Sequence, residues 1–566
     1  SPSAATEVDP AAFTLETTNS TATPGDNCLV NSVCLPCRAH LPCKSCLFTS
    51  QVSAVLVVAA VGVLASPQPL LAMERGSGFS FMKYGTAASL AMVLLAYWFR
   101  PPGESRLDDR LDTVLSSLLR AESKVGINNA RPRVAIGLGG CVDILVDGVR
   151  LLNKIGLPPT DQPLHHDYIE NADQLAQSFA YFFVPGAAAE RFVMNNTLFS
   201  QLVEASRELP GNRWSIGGNA PVMAGRMAIE GCDVLLGGSF SPDFADVLSQ
   251  HITVAGNVVE EPDIHLILEY PSGATWGQYT ARRANRYIVH SDDHNPYLAS
   301  LQDFEDKLQE FHPDLLVMGG LQMMDSFPFR QGERKTLLSR LGNLLSSSSP
   351  RTGVHFEMAS FVDEGLMGDL LLLVLPNADS LGMNEQELPN LLSLLRGSNV
   401  TVLSDPNPRV ATVLDQMREL YRLVNQRYRN ANEDSGVDAN AAAAKGRPLS
   451  RLHVHTLAFQ AMIVTRGSQW KNTMSAVAKA SLTANRHVCG SPDIDPSKAR
   501  LIMDESFSVS RQEGSQRIPL EETRPVSCWD EDDYEICVAP NLVCTDVYQT
   551  AGGGDNISAA GLVLQI

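Results

Sequence analysis

Near the carboxyl end, Gly552-Gly553-Gly554-Asp555 runs into Asn556, Ile557, Ser558, Ala559, Ala560 and Gly561. Consecutive glycines take backbone angles closed to other residues and let a ligand approach the main chain, and the small residues after them suit a tightly packed helix. The first N–H groups of such a helix have no partner within it, and with the positive end of the dipole they attract phosphate oxygens. Gly552, Gly553 and Gly554 are therefore a candidate anion hole. Asp555, where the helix begins, could take the proton of an incoming hydroxyl. It could also be a helix cap, with the glycines merely turning the chain.

Other polar groups have spacings that suit small ligands. Arg133 to Ile136 reads as a short strand, followed by the glycine turn Gly137-Leu138-Gly139-Gly140 and then Asp143. As a dinucleotide fingerprint this turn is incomplete, whereas Asp143 could accept hydrogen bonds from hydroxyls or simply sit in solvent. In Ile216-Gly217-Gly218-Asn219, paired glycines expose N–H groups and Asn219 carries a donor and an acceptor, a set suited to sugar hydroxyls as well as to a tight turn. Strand alternation puts His355 and Glu357 on one face, where they could hold a metal through waters or form a structural pair. Asn384 and Glu387, three apart, have the spacing of a reciprocal helix cap, which is compatible with Glu387 also facing a phosphate.

The elements that must position these groups alternate. Strand patterns at 234–236, 265–270, 286–290, 315–318 and 354–358 are separated by helical stretches, which indicates an α/β fold with a mostly parallel sheet. Ligands gather at the carboxyl ends of such strands, where Asp143, Glu269 and the glycine turns are expected. Strand candidates at 452–459 and 542–548 should finish the sheet beside Gly552. Apolar spacing predicts a helix over 107–123, and 430–445 and 513–533 read as solvated loops. The 566 residues are 44% hydrophobic, enough for a large core, and the net charge of −19 with no long basic run argues against nucleic-acid binding.

The amino-terminal part reads differently. Residues 1–81 hold a Ser/Thr/Ala/Pro-rich start and five of the eleven cysteines, between Cys28 and Cys46, which could bind zinc or form disulfides. Residues 82–102 run from Met82-Lys83 through an apolar stretch to Arg100-Pro101-Pro102, the pattern of a signal peptide or membrane anchor. Met82 is the expected biological start, with 1–81 an extension of the gene prediction. The reading is thus an extension over 1–81, a signal or anchor over 82–102, a helical linker over 103–130 and a catalytic unit over 131–566. A secretory destination, chiefly the endoplasmic reticulum, follows, with N-terminal membrane association.

Taken in order, eight segments give the chain its resemblance to the ADP-dependent glucokinases, especially the animal form, within the ribokinase-like superfamily. They are Gly140-Cys141-Val142-Asp143, Gly186 to Phe192, Gly217-Gly218-Asn219-Ala220, His265 to Tyr270, Ala284-Asn285-Arg286-Tyr287, His355-Phe356-Glu357, Leu381 to Leu388, and Gly552 to Gly561. The resemblance implies a large α/β sandwich domain with a smaller β-rich lid that closes on glucose and ADP. It implies Asp555 as base, Gly552–Gly554 as anion hole, and Arg286 as a phosphate-neutralising cation. It further implies magnesium organised by Glu357, Glu387 and Asp555 with support from His355 and Asn384. Sugar contacts would come from Asp143, Gly217, Gly218, Asn219, Glu190 and Glu269, in a monomeric enzyme. The chain departs from that pattern in two places: Gly139-Gly140 stand where the animal enzymes usually have Asn-Ala, and Asn556, where Ala is common, creates the formal glycosylation acceptor Asn556-Ile557-Ser558. Alternatives on the same fold are an ADP-dependent phosphofructokinase and an ATP-dependent sugar or nucleoside kinase; from another class, a membrane-tethered sugar-binding protein without catalysis.

Overall fold

A computed structural model of the chain describes residues 103–124, 131–398, 400, 405–434 and 446–566. The expectations for 1–81, 82–102 and the Cys28–Cys46 cluster lie outside the described residues.

A ten-stranded sheet forms the large layer. Seven of its strands are parallel, in the spatial order Ile252–Ala255, Asp233–Gly237, Arg133–Gly137, Leu315–Met318, Gly353–Glu357, Ser380–Asn384 and Arg451–His455. Parallel strands covered by helices on both faces read as unbroken apolar runs, and Leu315–Met318 is buried throughout. Three antiparallel strands complete the sheet beyond Arg451–His455: Phe459–Thr465, Tyr534–Pro540 and Ser527–Glu531. The structure thus corrects several expectations. The 452–459 run is two strands joined by a turn. Leu542–Cys544 pairs only with Ala499–Leu501, outside the large sheet. Part of 513–533 is the edge strand itself, held by Arg418 Nε and Nη2 on the two oxygens of Glu531 at 2.7 and 2.8 Å. Similarly, the helix Val410–Asp434 continues through the start of the segment expected to be a loop.

The smaller lobe is a six-stranded sheet, ordered Tyr168–Ile169, Ala189–Val193, Asn285–His290, Ile264–Tyr270, Cys141–Asp147 and Arg213–Gly217. It is inserted in two pieces, after Arg133–Gly137 and after Ile252–Ala255, and has its own aromatic core. Phe179 packs edge-on against Tyr270, Trp276 and Tyr287 with ring centroids 5.2–5.9 Å apart. Separate cores let two lobes act as separate bodies. Asp143 and Glu269 belong to this lobe, and not to the strand ends of the large sheet where the sequence pattern put them, because the chain crosses over twice, at the glycine turn after Gly137 and again after Ile252–Ala255.

The helix Gly103–Glu122 lies on the large lobe as expected, burying Val114, Leu118 and Ala121 against Thr473–Cys489. Glu122 accepts from Lys479 and Arg486. Two disulfides, Cys489–Cys544 and Cys528–Cys537, staple the region beside the carboxyl-terminal helix and the sheet edge.

Candidate active site

The last helix, Gly553–Val563, starts from Gly552 at φ +67°, a left-handed angle that favours glycine. A Cβ at Gly554 would stand 2.9 Å from the His455 ring, so the backbone here can be close-packed only without a side chain. Asn556 holds the turn: its Nδ2 and its main-chain N both donate to Gly552 O, and its Oδ1 accepts from Arg226 Nε at 2.9 Å. With the amide engaged at both ends and buried, Asn556 is closed to glycosylation. His487, in the neighbouring helix, donates to Ala551 O at 2.6 Å from the other side.

Asp555 accepts one hydrogen bond, from Asn219 Nδ2 at 2.7 Å, and Asn219 Oδ1 accepts in turn from Gln322 Nε2 at 2.7 Å. Burial, and then the nearby negative charge of Glu357, push the Asp555 carboxyl up to about 6. That value suits a general base, which must hold a proton briefly and return it.

Glu357 is the opposite kind of carboxylate. It sits in the fully buried strand Gly353–Glu357 with 3% exposure, where an unpaired charge would be prohibitive. Its Oε2 accepts from His355 Nε2 at 2.8 Å and its Oε1 from Ser558 Oγ at 2.9 Å, while His455 Nε2 stands 3.6 Å away at ion-pair distance. Burial alone would raise it; the two imidazoles outweigh that and hold it at about 2. Behind it, Arg451 Nη1 donates to Ser380 Oγ and Ser380 lies 2.7 Å from His355 Nδ1. This relay fixes His355 as the neutral tautomer with its proton on Nε2, in keeping with a pKa lowered by burial. Glu387 and Asn384 form the reciprocal cap: Asn384 N and Nδ2 donate to Glu387, and Glu387 N donates to Asn384 Oδ1. Burial raises Glu387 to about 7.

Across the cleft, His265 lies in register between Asp143 and His290 on the small-lobe sheet. Glu190 Oε1 is 3.5 Å from His265 Nδ1, and burial lifts Asp143 to about 6. Gly217 makes room for Asp143, since a Cβ there would meet its carboxylate at 1.9 Å, and a Cβ at Gly218, whose φ is +85°, would meet the backbone of Gly139 and Gly140 at 2.9 Å. The cleft between the lobes has a volume of about 550 Å³ and is lined by Asp143, Glu190, Asn219, Glu357, Glu387 and Asp555, among others. A larger recess of about 1570 Å³ elsewhere is lined by charges that pair with one another, such as Arg418 with Asp415 and Arg447 with Asp379, and holds none of these reactive groups.

The structure gathers Asp143, Glu190, Gly218, Asn219, Arg286, Glu357, Asn384, Glu387 and Gly552–Asp555 on one cleft. It treats three sequence-predicted residues differently. Asn219 spends its amide on Asp555 and Gln322, so it orients the base. Gly217 acts by leaving space. Glu269 lies outside the cleft lining, because its oxygens accept from Arg213 Nη2 at 2.7 Å and Thr550 N at 3.2 Å. Sequence reasoning missed His265, Gln322, His455 and Ser558. The alternation that pointed to Glu269 places His265 on the same strand face four residues earlier; Gln322 had no local signal. Arg286 has no carboxylate partner among the described residues, and its buried Nε makes no hydrogen bond, so its charge is open to a ligand.

Among the described residues, the oxygens of Glu357, Glu387 and Asp555 do not converge closely enough to grip one bare ion. As a purely carboxylate set already holding donors, they fit a hard cation that keeps most of its waters.

The conserved region of ADP-specific phosphofructokinase/glucokinase matches residues 132–564. The chain is similar to the ADP-dependent glucokinase of Bos taurus, 32% identical over 82% of this chain and 89% of that one. It is 25% identical, over 54% of this chain and 61% of that one, to the ADP-dependent glucose/glucosamine kinase of Pyrococcus abyssi. Among solved structures, an ADP-dependent kinase in complex with fructose-6-phosphate and ADPβS has the same fold, with a TM-score of 0.53 at 16% identity over 81% of this chain and 97% of that chain.

Proposed function

The chain belongs to the ADP-specific phosphofructokinase/glucokinase family, and we propose that it is a glucokinase, moving the β-phosphoryl group of ADP to the 6-hydroxyl of D-glucose to give AMP and glucose 6-phosphate. The observation that carries this reading is Asp555, a raised carboxylate at a glycine-opened helix N-terminus, on a cleft that Asp143, Glu190 and His265 of the second lobe also line. Two carboxylates on the acceptor face suit the hydroxyls of a neutral sugar and would repel the phosphate of a phosphorylated one.

In the reaction, the sugar O6 forms a bond to the β-phosphorus as the bridging bond to the α-phosphate breaks, and AMP leaves. Asp555 takes the O6 proton; Asn219, braced by Gln322, keeps the base aimed. The N–H groups of Gly553, Gly554 and Asp555 and the guanidinium of Arg286 receive the charge that spreads over the moving group. Glu357 and Glu387 would hold magnesium through its waters, and the ion supplies further charge neutralisation on the phosphates. Closing the small lobe excludes water from the transfer.

The two disulfides support an oxidising compartment, so the proposed location is the secretory pathway, within the endoplasmic reticulum. Among the described residues, no helix is long and apolar enough to cross a membrane.

The test is purified protein incubated with glucose and magnesium and with either ADP or ATP, each freed of the other, with glucose 6-phosphate followed in time. Product with ADP alone is expected. Product with ATP alone, or none with either donor, overturns the reading.

A further inference from the structure

Asp292 is fully buried, with no exposed side-chain surface, and does not line the cleft. Three donors converge on it. His265 Nε2 lies 2.9 and 3.2 Å from its two oxygens, His290 Nδ1 lies 3.1 Å from Oδ1, and Asn295 Nδ2 donates to Oδ2 at 2.7 Å. Asn295 is itself bonded to both main-chain groups of Gly140: it accepts from Gly140 N at 3.1 Å and donates to Gly140 O at 3.2 Å. The loop carrying Asn295 is pinned by Asp263, which accepts from the backbone N of Asp293, His294 and Asn295. One carboxylate therefore joins the histidine that faces the cleft to the glycine turn that leads into Asp143.

We propose that Asp292 is a positioning residue for the acceptor sugar: it fixes the His265 ring so that Nδ1–H is presented between the carboxylates of Glu190 and Asp143, and through Asn295 it holds the Gly139-Gly140 turn beneath them. The inference rests on the sugar-kinase reading above. A donor set between two acceptors matches adjacent sugar hydroxyls, each of which donates once and accepts at its lone pairs.

The charges around His265 agree with the geometry. Asp292 and His290 face it from the end of the strand Asn285–His290 and the loop after it, Glu190 from Ala189–Val193, and Asp143 and Cys141 from Cys141–Asp147. Burial by itself would strip His265 of its proton, but Asp292 foremost, then Glu190 and Asp143, lift it to about 10. His265 is thus an imidazolium throughout the neutral range, with one N–H spent on Asp292 and the other left for the cleft.

The experiment is Asp292→Asn in the full chain, with initial rates measured against glucose and against ADP. The expected result is a KM for glucose raised about tenfold to a hundredfold, the range for a lost charge-assisted hydrogen bond, with kcat lowered less than about threefold and the KM for ADP unchanged. A wild-type KM for glucose overturns the proposal, as does a fall in kcat with KM unmoved. A second readout needs no variant at Asp292: histidine-selective 15N NMR of the unaltered protein at pH 8, with His265 assigned by signal loss in His265→Gln. An imidazolium signal supports the proposal and a neutral imidazole overturns it. This readout is independent of turnover, so if the protein phosphorylates no glucose, the kinase reading fails by itself while the placement of His265 is still decided.

Discussion

Each lobe buries a histidine against a carboxylate at almost the same distance: His265 to Asp292 at 2.9 Å in the small lobe, and His355 to Glu357 at 2.8 Å in the large sheet. Their charge states are opposite. His265 is raised to about 10, whereas His355 is lowered. Burial lowers both and the paired carboxylate raises both, and the further neighbours push the two apart. Around His265 stand two more acids, Glu190 and Asp143. Behind His355 stand Ser380 and the buried cation Arg451, which burial depresses only to about 9 and which therefore stays charged. One pair consequently offers a ligand a positive donor, and the other offers a negative carboxylate, Glu357, whose field reaches Asp555. The same two residue types thus give the cleft a positive donor at one point and a negative acceptor at another.

The strongest way to test the large-lobe half of that contrast is Asp555→Asn, which removes the base and keeps its shape. Turnover should fall about a thousandfold or more, while the KM for glucose moves little. Stability should move the other way. The folded carboxyl is raised from about 3.8 in the unfolded chain to about 6, so the fold prefers the protonated form and its ionisation costs stability as pH rises through that interval. Asn removes the cost: the variant should melt higher than wild type at pH 7.5, with the gap closing below pH 4. In the wild type, kcat should decline as pH falls through 6. A variant with near-normal turnover would remove Asp555 from the mechanism.

Glu357→Gln probes the field itself. Burial is the larger cause of the raised Asp555 and survives the change, but the negative charge of Glu357 does not, so the acid limb of the kcat profile should shift to lower pH. Turnover at pH 7.5 should drop about tenfold to a hundredfold through lost cation support. An unshifted limb would mean that the large-lobe carboxylate does not reach the base.

How much of this contrast was written in the sequence depends on whether a residue's partners are local. Gly552–Asp555 and the Asn384/Glu387 cap were legible because helix geometry alone links them, and His355 with Glu357 because strand alternation does. The parallel α/β layer was legible from alternating patterns. The small-lobe membership of Asp143 was not, since a four-residue glycine turn can carry the chain within a sheet or out of it. Asp292 lies 27 residues from His265 and Gln322 lies 103 from Asn219; no period connects such pairs. The antiparallel edge was misread because its strand Ser527–Glu531 carries acids whose charges are matched from elsewhere in the chain, Glu531 by Arg418 and Asp530 by Arg466.

Ser380→Ala separates the lobes at a smaller scale. The hydroxyl accepts from Arg451 and stands against His355 Nδ1, so its loss leaves two buried polar groups unpaired at about 1–3 kcal/mol each. Thermal unfolding should shift down by several degrees and kcat should drop less than about tenfold, a loss passed through His355 to Glu357. The KM for glucose should hold, because nothing in the small-lobe hub depends on it. A raised glucose KM would show that the two histidine pairs are not independent.

The finest distinction concerns Glu269, which shares a strand with His265 but contacts the other lobe. Its carboxylate bridges Arg213 and the N–H of Thr550, two residues before Gly552, while Arg213 stacks over the Tyr548 ring at 4.6 Å. This is a latch between the small lobe and the segment leading into the anion hole, and it is partly open to water, where such pairs contribute little. Glu269→Ala should therefore change the KM for glucose less than about threefold, with a comparable small effect on the KM for ADP because the loop before Gly552 loosens. A sugar ligand would behave otherwise: losing a bonded carboxylate would raise the glucose KM about tenfold or more and spare ADP. The ratio of the two KM changes, more than the size of either, tells which end of the strand Ile264–Tyr270 works on the sugar and which works on the hinge.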